Sequence, residues 1–333
     1  MNPCGWPAAL ALLTSFATLA EPSDFRSALG GFAAEMQQRH QFSPTEIEHA
    51  LGEPKFRSDI IDAISRPAES KPWYKYRPIF VTPERARAGL AYWKAGEVIL
   101  QRASQVYGVP PEIIVAIIGV ETRYGRHTGN YRVVDALSTL AFGYPPRGGF
   151  FRRELEEYLL LSREQRVEGR EQKGSYAGAL GKPQFMPSSY RRYAVDFDGD
   201  GRKDLWRSDA DVVGSVANYL HEYGWRPDAP ITVPARAAAT PPPHLEAAGP
   251  RPSIGLGELE AAGIKAEIVL PADTLVSLVR LENEGDTEYW LGLDNFYTIT
   301  RYNHSNLYAM AVYQLSRDIL ALKQGEEPGK SPR

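Results

Sequence analysis

Along most of the chain, apolar positions recur every three to four residues, the spacing of a helix with one buried face. "SPTEIEHAL" shows how such a segment begins. Ser43 stands at the cap, Pro44 at the first helical position and Glu46 three residues after the cap, so that side-chain oxygens take up the free amides of the first turn. "TPERARAGLAYWKAGEVILQRASQVYG" repeats the device with Thr82 and Pro83 and reads as one helix stopped by Gly108. After Pro110-Pro111, every residue from Ile113 to Val120 is apolar or glycine, which predicts a helix buried on all sides. "VVDALSTLAFG", "FFRRELEEYLLLSREQ" and "DADVVGSVANYLHEYGW" continue the helical pattern, and "GSYAGALGKPQFMPSSY" is a glycine-rich loop leading into a further helix near Pro187. The pattern then changes. "VPARAAATPPPHLEAAGPRPS" is rich in Pro and Ala and reads as an extended linker or irregular surface segment. "IVLPADTLVSLVRLENEGDTEYWLGL" carries β-branched and aromatic residues in short runs, which predicts strands. "SNLYAMAVYQLSRDILALK" returns to a helix. The expectation is a mainly α (α+β) protein with a small β-containing insertion before its last helix.

Composition changes this picture little. The chain has 333 residues, 43% hydrophobic and 24% charged, ordinary for a soluble globular protein of more than one domain. A net charge of −3 argues against binding nucleic acid through bulk positive charge. The N-terminal "WPAALALLTSFATLA" is apolar, uncharged and too short for a comfortable transmembrane helix. It fits a secretory signal cleaved after Ala20, with small residues at Thr18 and Ala20. The only cysteine, Cys4, precedes that run, so a mature chain would carry no disulfide, and a lipid anchor at the cleavage site is not expected.

The buried run ends in an acid. Glu121 lies in "GVETRYG", where desolvation and the negative end of the helix dipole would both oppose ionisation; a carboxylic acid kept protonated near neutral pH is what a general acid requires. A surface glutamate just past the buried turn is the plainer alternative. Tyr124 and Gly125 follow directly. Gln184, Phe185, Met186 and Ser189 cluster in "GKPQFMPSSY", and Tyr302, Asn303 and Tyr308 in "RYNHSNLY". Aromatic faces beside amides suit sugar rings, although such aromatics also serve as core.

"GVETRYG", "GALGKPQFMPSSY", "DFDGDGRKDLW", "GSVANYL" and "RYNHSNLYAMAVYQL", with "KPWYKYRPIFVTP" nearer the N-terminus, resemble the lytic murein transglycosylases of the B type (glycoside hydrolase family 103). The matches run in order from about residue 24 to 322. The resemblance implies a lysozyme-like helical core with an N-terminal helical domain and a small β domain. The expected division is 1–20 signal peptide, 21–108 N-terminal helical region, 109–228 catalytic core, 229–296 linker and small β domain, 297–323 a strand and helix returning to the core, and 324–333 a flexible tail. It implies cleavage of the β-1,4 bond between N-acetylmuramic acid and N-acetylglucosamine, leaving 1,6-anhydromuramyl ends, with Glu121 as a single acid/base. Gln184, Met186, Ser189, Tyr219, Tyr302, Asn303 and Tyr308 match positions lining the cleft; Tyr124 and Phe185 join them as candidate substrate contacts. The family tends to carry two arginines before an aromatic residue after the catalytic helix; this chain has "YPPRGGFF", with Arg147 alone. The implied partners are peptidoglycan glycan strands, with other cell-wall enzymes as further candidates and neither nucleic acid nor a transmembrane anchor. The implied location is the periplasm.

"DFDGDGRKDLW" places Asp196, Asp198 and Asp200 at alternate positions with Gly201 sixth, as in an EF-hand loop, and Arg202 would offer its carbonyl at position seven. Position twelve is Arg207 instead of glutamate. In the family resembled the last carboxylate comes later, aligned best with Asp211, with Asp209 as the alternative. Three close carboxylates repel unless a cation sits between them, so a structural Ca²⁺ is expected and no organic cofactor. The six histidines form no zinc-ligand spacing, and neither a G-x-S-x-G elbow nor a phosphate-binding glycine loop occurs. Two readings compete with the transglycosylase: a hydrolase that admits water, and a non-catalytic peptidoglycan-binding scaffold.

Overall fold

The computed structural model describes residues 24–66 and 71–326. The expected signal segment, Cys4 and most of the expected tail lie outside the described residues.

The helical body begins with α1 (Phe25–His40), α2 (Pro44–Ala50), α3 (Ser58–Ile64), α4 (Trp73–Phe80), α5 (Pro83–Ala95) and α6 (Glu97–Tyr107). The capping box of α2 forms as its sequence predicts: the Glu46 amide donates to Ser43 Oγ and the Ser43 amide to Glu46 Oε2. The stretch from Thr82 to Gly108 is two helices instead of one. It breaks at Gly96, whose amide closes α5 while its carbonyl opens α6; a glycine inside a helical pattern is the cheapest place to turn. The apolar run forms α7 (Pro111–Thr122), with Ile113 to Ile118 essentially inaccessible.

A two-residue antiparallel pair, β1 (Tyr131–Arg132) with β2 (Lys173–Gly174), brackets α8 (Val133–Gly143) and α9 (Gly148–Gln165). Next come α10 (Pro187–Tyr193) and α11 (Asp209–Glu222). The insertion holds β3 (Thr232–Ala237), α12 (Pro243–Ala247), β4 (Ile254–Gly255), α13 (Leu256–Ala261), β5 (Ile264–Ala266), β6 (Leu275–Glu282) and β7 (Thr287–Gly292), and the chain returns through α14 (Asp294–Tyr302) and α15 (Asn306–Gln324).

The five longer-range strands form one antiparallel sheet in the order β4-β6-β7-β3-β5. This corrects the linker reading of residues 233–253: β3 pairs on both sides, with Val233 and Ala235 buried. Its inward residues are short, and their alternation is easily missed in an Ala/Pro-rich stretch. The strand expected after residue 297 is also corrected, because Phe296 and Ile299 lie one helical turn apart on the buried side of α14.

Packing divides the molecule differently from the sequence-based domains. Residues from α1 to α11 share one hydrophobic core with α14 and α15, so the N-terminal helices are part of the main helical body. The insertion has a smaller core of its own around Val233, Leu245, Val276, Leu278 and Leu291. The other face of the β6–β7 hairpin, with Val279, Leu281 and Trp290, joins the main core, and Trp290 meets Tyr313 of α15 edge-on at 5.9 Å. The hairpin therefore fastens the β module to the helix that packs on α7.

Candidate active site and acidic loop

Three segments far apart in sequence meet at the C-terminal end of α7. Glu121 is half-buried in the last turn, and Tyr308, in the first turn of α15, donates its hydroxyl to Glu121 Oε1 at 2.6 Å. The Tyr308 ring is 2% exposed. Burial, then the negative charge of Glu121, raises the Tyr308 pKa well above its ordinary value, so the phenol remains a donor throughout the accessible pH range. Burial and the Glu121 charge raise Tyr302 in the same way, and Glu121 is the one carboxylate among the described residues acting on it. The Tyr302 and Tyr308 rings stack at 6.3 Å and 11°.

The middle segment is held from both sides. Thr122 Oγ1 donates to the Lys182 carbonyl at 2.8 Å and Tyr302 donates to the Pro183 carbonyl at 2.7 Å. Gln184 adopts a left-handed backbone (φ 54°), and its amide donates to the carbonyls of Gly181 and Thr128. A non-glycine residue held in that conformation is costly and clusters at functional sites. Alternate residues then face opposite ways: Gln184 and Met186 are half-buried, while Phe185 is 2% exposed against Tyr219 and Tyr302. Tyr219 is 6% exposed and donates to the Arg301 carbonyl. Phe185 and Tyr219 thus support the wall, whereas Gln184, Met186, Ser189, Tyr302 and Asn303 retain accessible surface.

Tyr124, expected as a sugar contact, is half-buried and is also held by the protein itself. Its hydroxyl donates to the Arg85 carbonyl at 2.9 Å, and a methyl group at either Gly89 or Gly119 would lie 2.5 Å from that oxygen. The two glycines admit the ring where α5 and α7 cross, so Tyr124 locks the helix carrying Glu121. Arg147 is exposed just before α9 and stacks on Phe150 and Phe151. Burial, then the charges of Arg301 and Arg147, lower the pKa of His304.

Sequence reading missed Thr122, His304 and Glu154. Glu154 is a buried acid of α9 that accepts from the Ser188 amide and hydroxyl at 3.0 and 2.7 Å, anchoring the start of α10 beside Met186. Its signal was present, since it falls on the same stripe as Phe151, Leu155 and Tyr158.

In the acidic loop, oxygens of Asp196, Asp198 and Asp211 lie within 4.8 Å of one another. Gly199 and Gly201 take left-handed backbones, and amides of Gly199 and Gly201 donate to Asp196. Asp211, 1% exposed, accepts from the amides of Phe197 and Asp204; desolvation, and further the Asp198 charge, raise its pKa. Asp200 stands outside this cluster, its carboxylate turned onto the Arg202 amide. Asp209 is drawn away to Lys182 Nζ at 2.7 Å and the Tyr92 hydroxyl. The oxygen-only donor set suits a hard cation.

A family model described as transglycosylase SLT domain matches residues 24–317. The chain belongs to this family. It is 43% identical over 298 residues to the membrane-bound lytic murein transglycosylase B of Escherichia coli, covering 86% of this chain and 81% of that one. Among solved structures, it is similar to the soluble lytic transglycosylase SltB1 of Pseudomonas aeruginosa (48% identity, TM-score 0.83, covering 90% and 99% of the two chains). It is also similar to the E. coli lytic transglycosylase Slt35 in complex with calcium (40%, 0.81, 92% and 96%). A third relative in structure is P. aeruginosa SltB3 in complex with NAG-anhNAM-pentapeptide (31%, 0.78, 90% and 80%). The expected mainly helical, lysozyme-like class is that of these family members. An acidic cluster that could hold a metal ion is present here, and one relative was solved with calcium.

Proposed function

We propose that this transglycosylase cleaves the β-1,4 bond between N-acetylmuramic acid and N-acetylglucosamine in peptidoglycan, with Glu121 as its single acid/base. The carrying observation is the 2.6 Å bond from Tyr308 to Glu121 Oε1 at the meeting of three segments. It fixes one carboxyl oxygen at the C-terminal end of α7. Ordinary glycosidases use two carboxyl groups; one suffices when the substrate supplies its own nucleophile. Glu121 gives its proton to the glycosidic oxygen as the muramic C1–O bond breaks, releasing the 4-hydroxyl of N-acetylglucosamine. The carboxylate then takes the proton of the muramic C6 hydroxyl as O6 bonds to C1. The acid is restored, no water is consumed, and the product is a 1,6-anhydro ring. Attack from within the same sugar gains the high effective concentration of an intramolecular reaction. The anhydro sugar held by SltB3 supports this outcome.

Gln184, Met186, Ser189, Tyr302, Asn303 and Arg147 form the substrate-facing wall in this reading, and Phe185 and Tyr219 hold it in place. Mass spectrometry of products from purified sacculi tests it. Muropeptides ending in anhydromuramic acid, 18 Da lighter than the hydrolytic products on the general arithmetic of one water (~18 Da), are the expected result. Reducing ends would make the protein a hydrolase, and retained binding without products would make it a scaffold.

The acidic loop holds Ca²⁺ in a structural role in the same reading, through Asp196, Asp198 and Asp211 and the Arg202 carbonyl. The cation relieves the mutual repulsion of the carboxylates and ties the loop to the start of α11. Calcium at about a hundredfold excess over Kd contributes about 2.7 kcal/mol, which corresponds to a Tm rise of roughly 3–8 °C for a chain of this size. Differential scanning calorimetry of chelated protein with and without calcium checks this, and Asp198→Asn is expected to abolish most of the rise. The peptidoglycan substrate and the relative's membrane-bound description support action in the periplasm. Among the described residues, no single helix is long and apolar enough to cross a membrane.

A further inference from the structure

A second cavity, of about 840 Å³, opens between the C-terminal end of α9 and the loop from Asp196 to Arg207. Glu121 and the cleft residues are not in its wall. The volume lies within the range of sites that hold small organic ligands, roughly 300–1,000 Å³.

Four cations line it: Arg166, Arg202, Lys203 and Arg207. None forms an ion pair among the described residues. The carboxylates in the same wall are already engaged. Glu164 is bound to Arg191, Asp204 accepts from the amides of Trp206 and Arg207, and Asp196 accepts from its own loop. The neighbouring Arg163, Arg170 and Arg191 each have an acid beside them, whereas the four cations of the cavity wall do not. Its floor is aromatic: Trp206 packs on Tyr190 at 5.6 Å. The Trp206 indole N–H is buried and has no hydrogen-bond partner among the described residues.

We infer that this cavity is a second, non-catalytic site that grips the stem peptide of a peptidoglycan strand by its carboxylates. The inference rests on the peptidoglycan reading above and adds a binding site to it. Unpaired guanidinium groups recognise carboxylates in two-point fashion, and the aromatic floor accepts peptide methyl and methylene groups. The mixed lining favours a peptide over a densely anionic surface, because Glu164 and Asp204 would repel a row of phosphates. The site abuts the catalytic cleft through the backbone. The Lys182 amide donates to the Leu205 carbonyl at 2.8 Å, so the loop carrying Gln184 and the loop carrying Trp206 are joined side by side. A strand held at both places would be retained between cleavage events.

The test is calorimetric titration of the full chain with a synthetic tetrapeptide bearing two free carboxylates and one amine, and with its amidated counterpart. The free acid is expected to bind at least about tenfold more tightly than the amide, and Arg166→Ala and Arg207→Ala, made separately, are each expected to weaken it about tenfold. Turnover of peptide-free glycan is expected to stay at the wild-type level in both variants, while turnover of peptide-bearing strands falls. Equal binding by wild type and both variants would overturn the inference. So would an absence of peptide binding, or binding of anionic phospholipid vesicles in preference to the peptide. The peptide titration involves no bond cleavage, so its result stands apart from whether anhydro products form.

Discussion

Replacing Glu121 with glutamine is expected to reduce turnover of peptidoglycan at least about 10³-fold while leaving the fold in place. One acid/base that serves both protonation of the leaving oxygen and deprotonation of the attacking hydroxyl has no substitute, and general acid–base catalysis alone contributes typically 10²–10⁴-fold. The amide keeps an oxygen where Oε1 now accepts from Tyr308, so the side chain stays seated, and a Tm change of no more than about 2 °C is expected, the size of a surface-like substitution. Release of anhydromuropeptides from sacculi by the two proteins in parallel is the measurement. Activity within tenfold of the wild type would remove Glu121 from the centre of the mechanism, whatever the family membership. Binding to sacculi should survive in the variant, because the residues lining the cleft are unchanged.

What could be read from the chain alone follows the range over which each signal acts. The helix that carries Glu121 was readable because its signal is local: a run from Ile113 to Val120 with no polar residue can only be buried, and the acid closing it stands out. The capping box at Ser43 and Glu46 is local too, and it forms as read. The packing role of Tyr124 was not legible, because it depends on what lies across the helix crossing. Gly89 is thirty-five positions earlier in the chain, and nothing near Tyr124 shows that it leaves room for the ring. The acidic loop shows both sides in one motif. The spacing of Asp196 and Asp198 is a local pattern, but the choice of third carboxylate is made by α11, whose first turn buries Asp211 under the loop and sends Asp209 outward to Lys182.

The β module was the least visible element for a related reason. A strand identifies itself by alternation, and β3 alternates with Val233 and Ala235 inward in a stretch full of alanine and proline, where contrast is low. β6 is buried on both faces, Leu278 in the module's own core and Val279 and Leu281 in the helical core. That double burial breaks the simple alternation of β6, which reads LVSLVRLE, and it also ties the module to the main helical body. The family resemblance supplied the presence of a β domain, but the manner of its attachment comes from packing alone.

Tyr308→Phe is expected to lower kcat about 10- to 100-fold with little change in KM. The hydroxyl makes one hydrogen bond to a carboxyl oxygen, and such bonds to charged groups contribute about 1.5–3 kcal/mol, with each ~1.4 kcal/mol worth a factor of ten in rate. The ring itself remains buried between α15 and the cleft wall, so phenylalanine fills the same space and the rate effect exceeds the effect on stability. Loss of the donor removes one constraint on Glu121, and the carboxyl group then spends less time facing the glycosidic oxygen. The raised pKa of Tyr308 bears on the same point: a phenol that ionised in the working range would repel the carboxylate it holds, and burial prevents this. Steady-state kinetics on a defined muropeptide, with a thermal melt of each protein, separates this positioning role from a structural one. A drop in kcat with Tm held within about 3 °C is the expected pattern. Wild-type kcat in the phenylalanine variant would mean that packing at the end of α7 orients Glu121 without the hydroxyl.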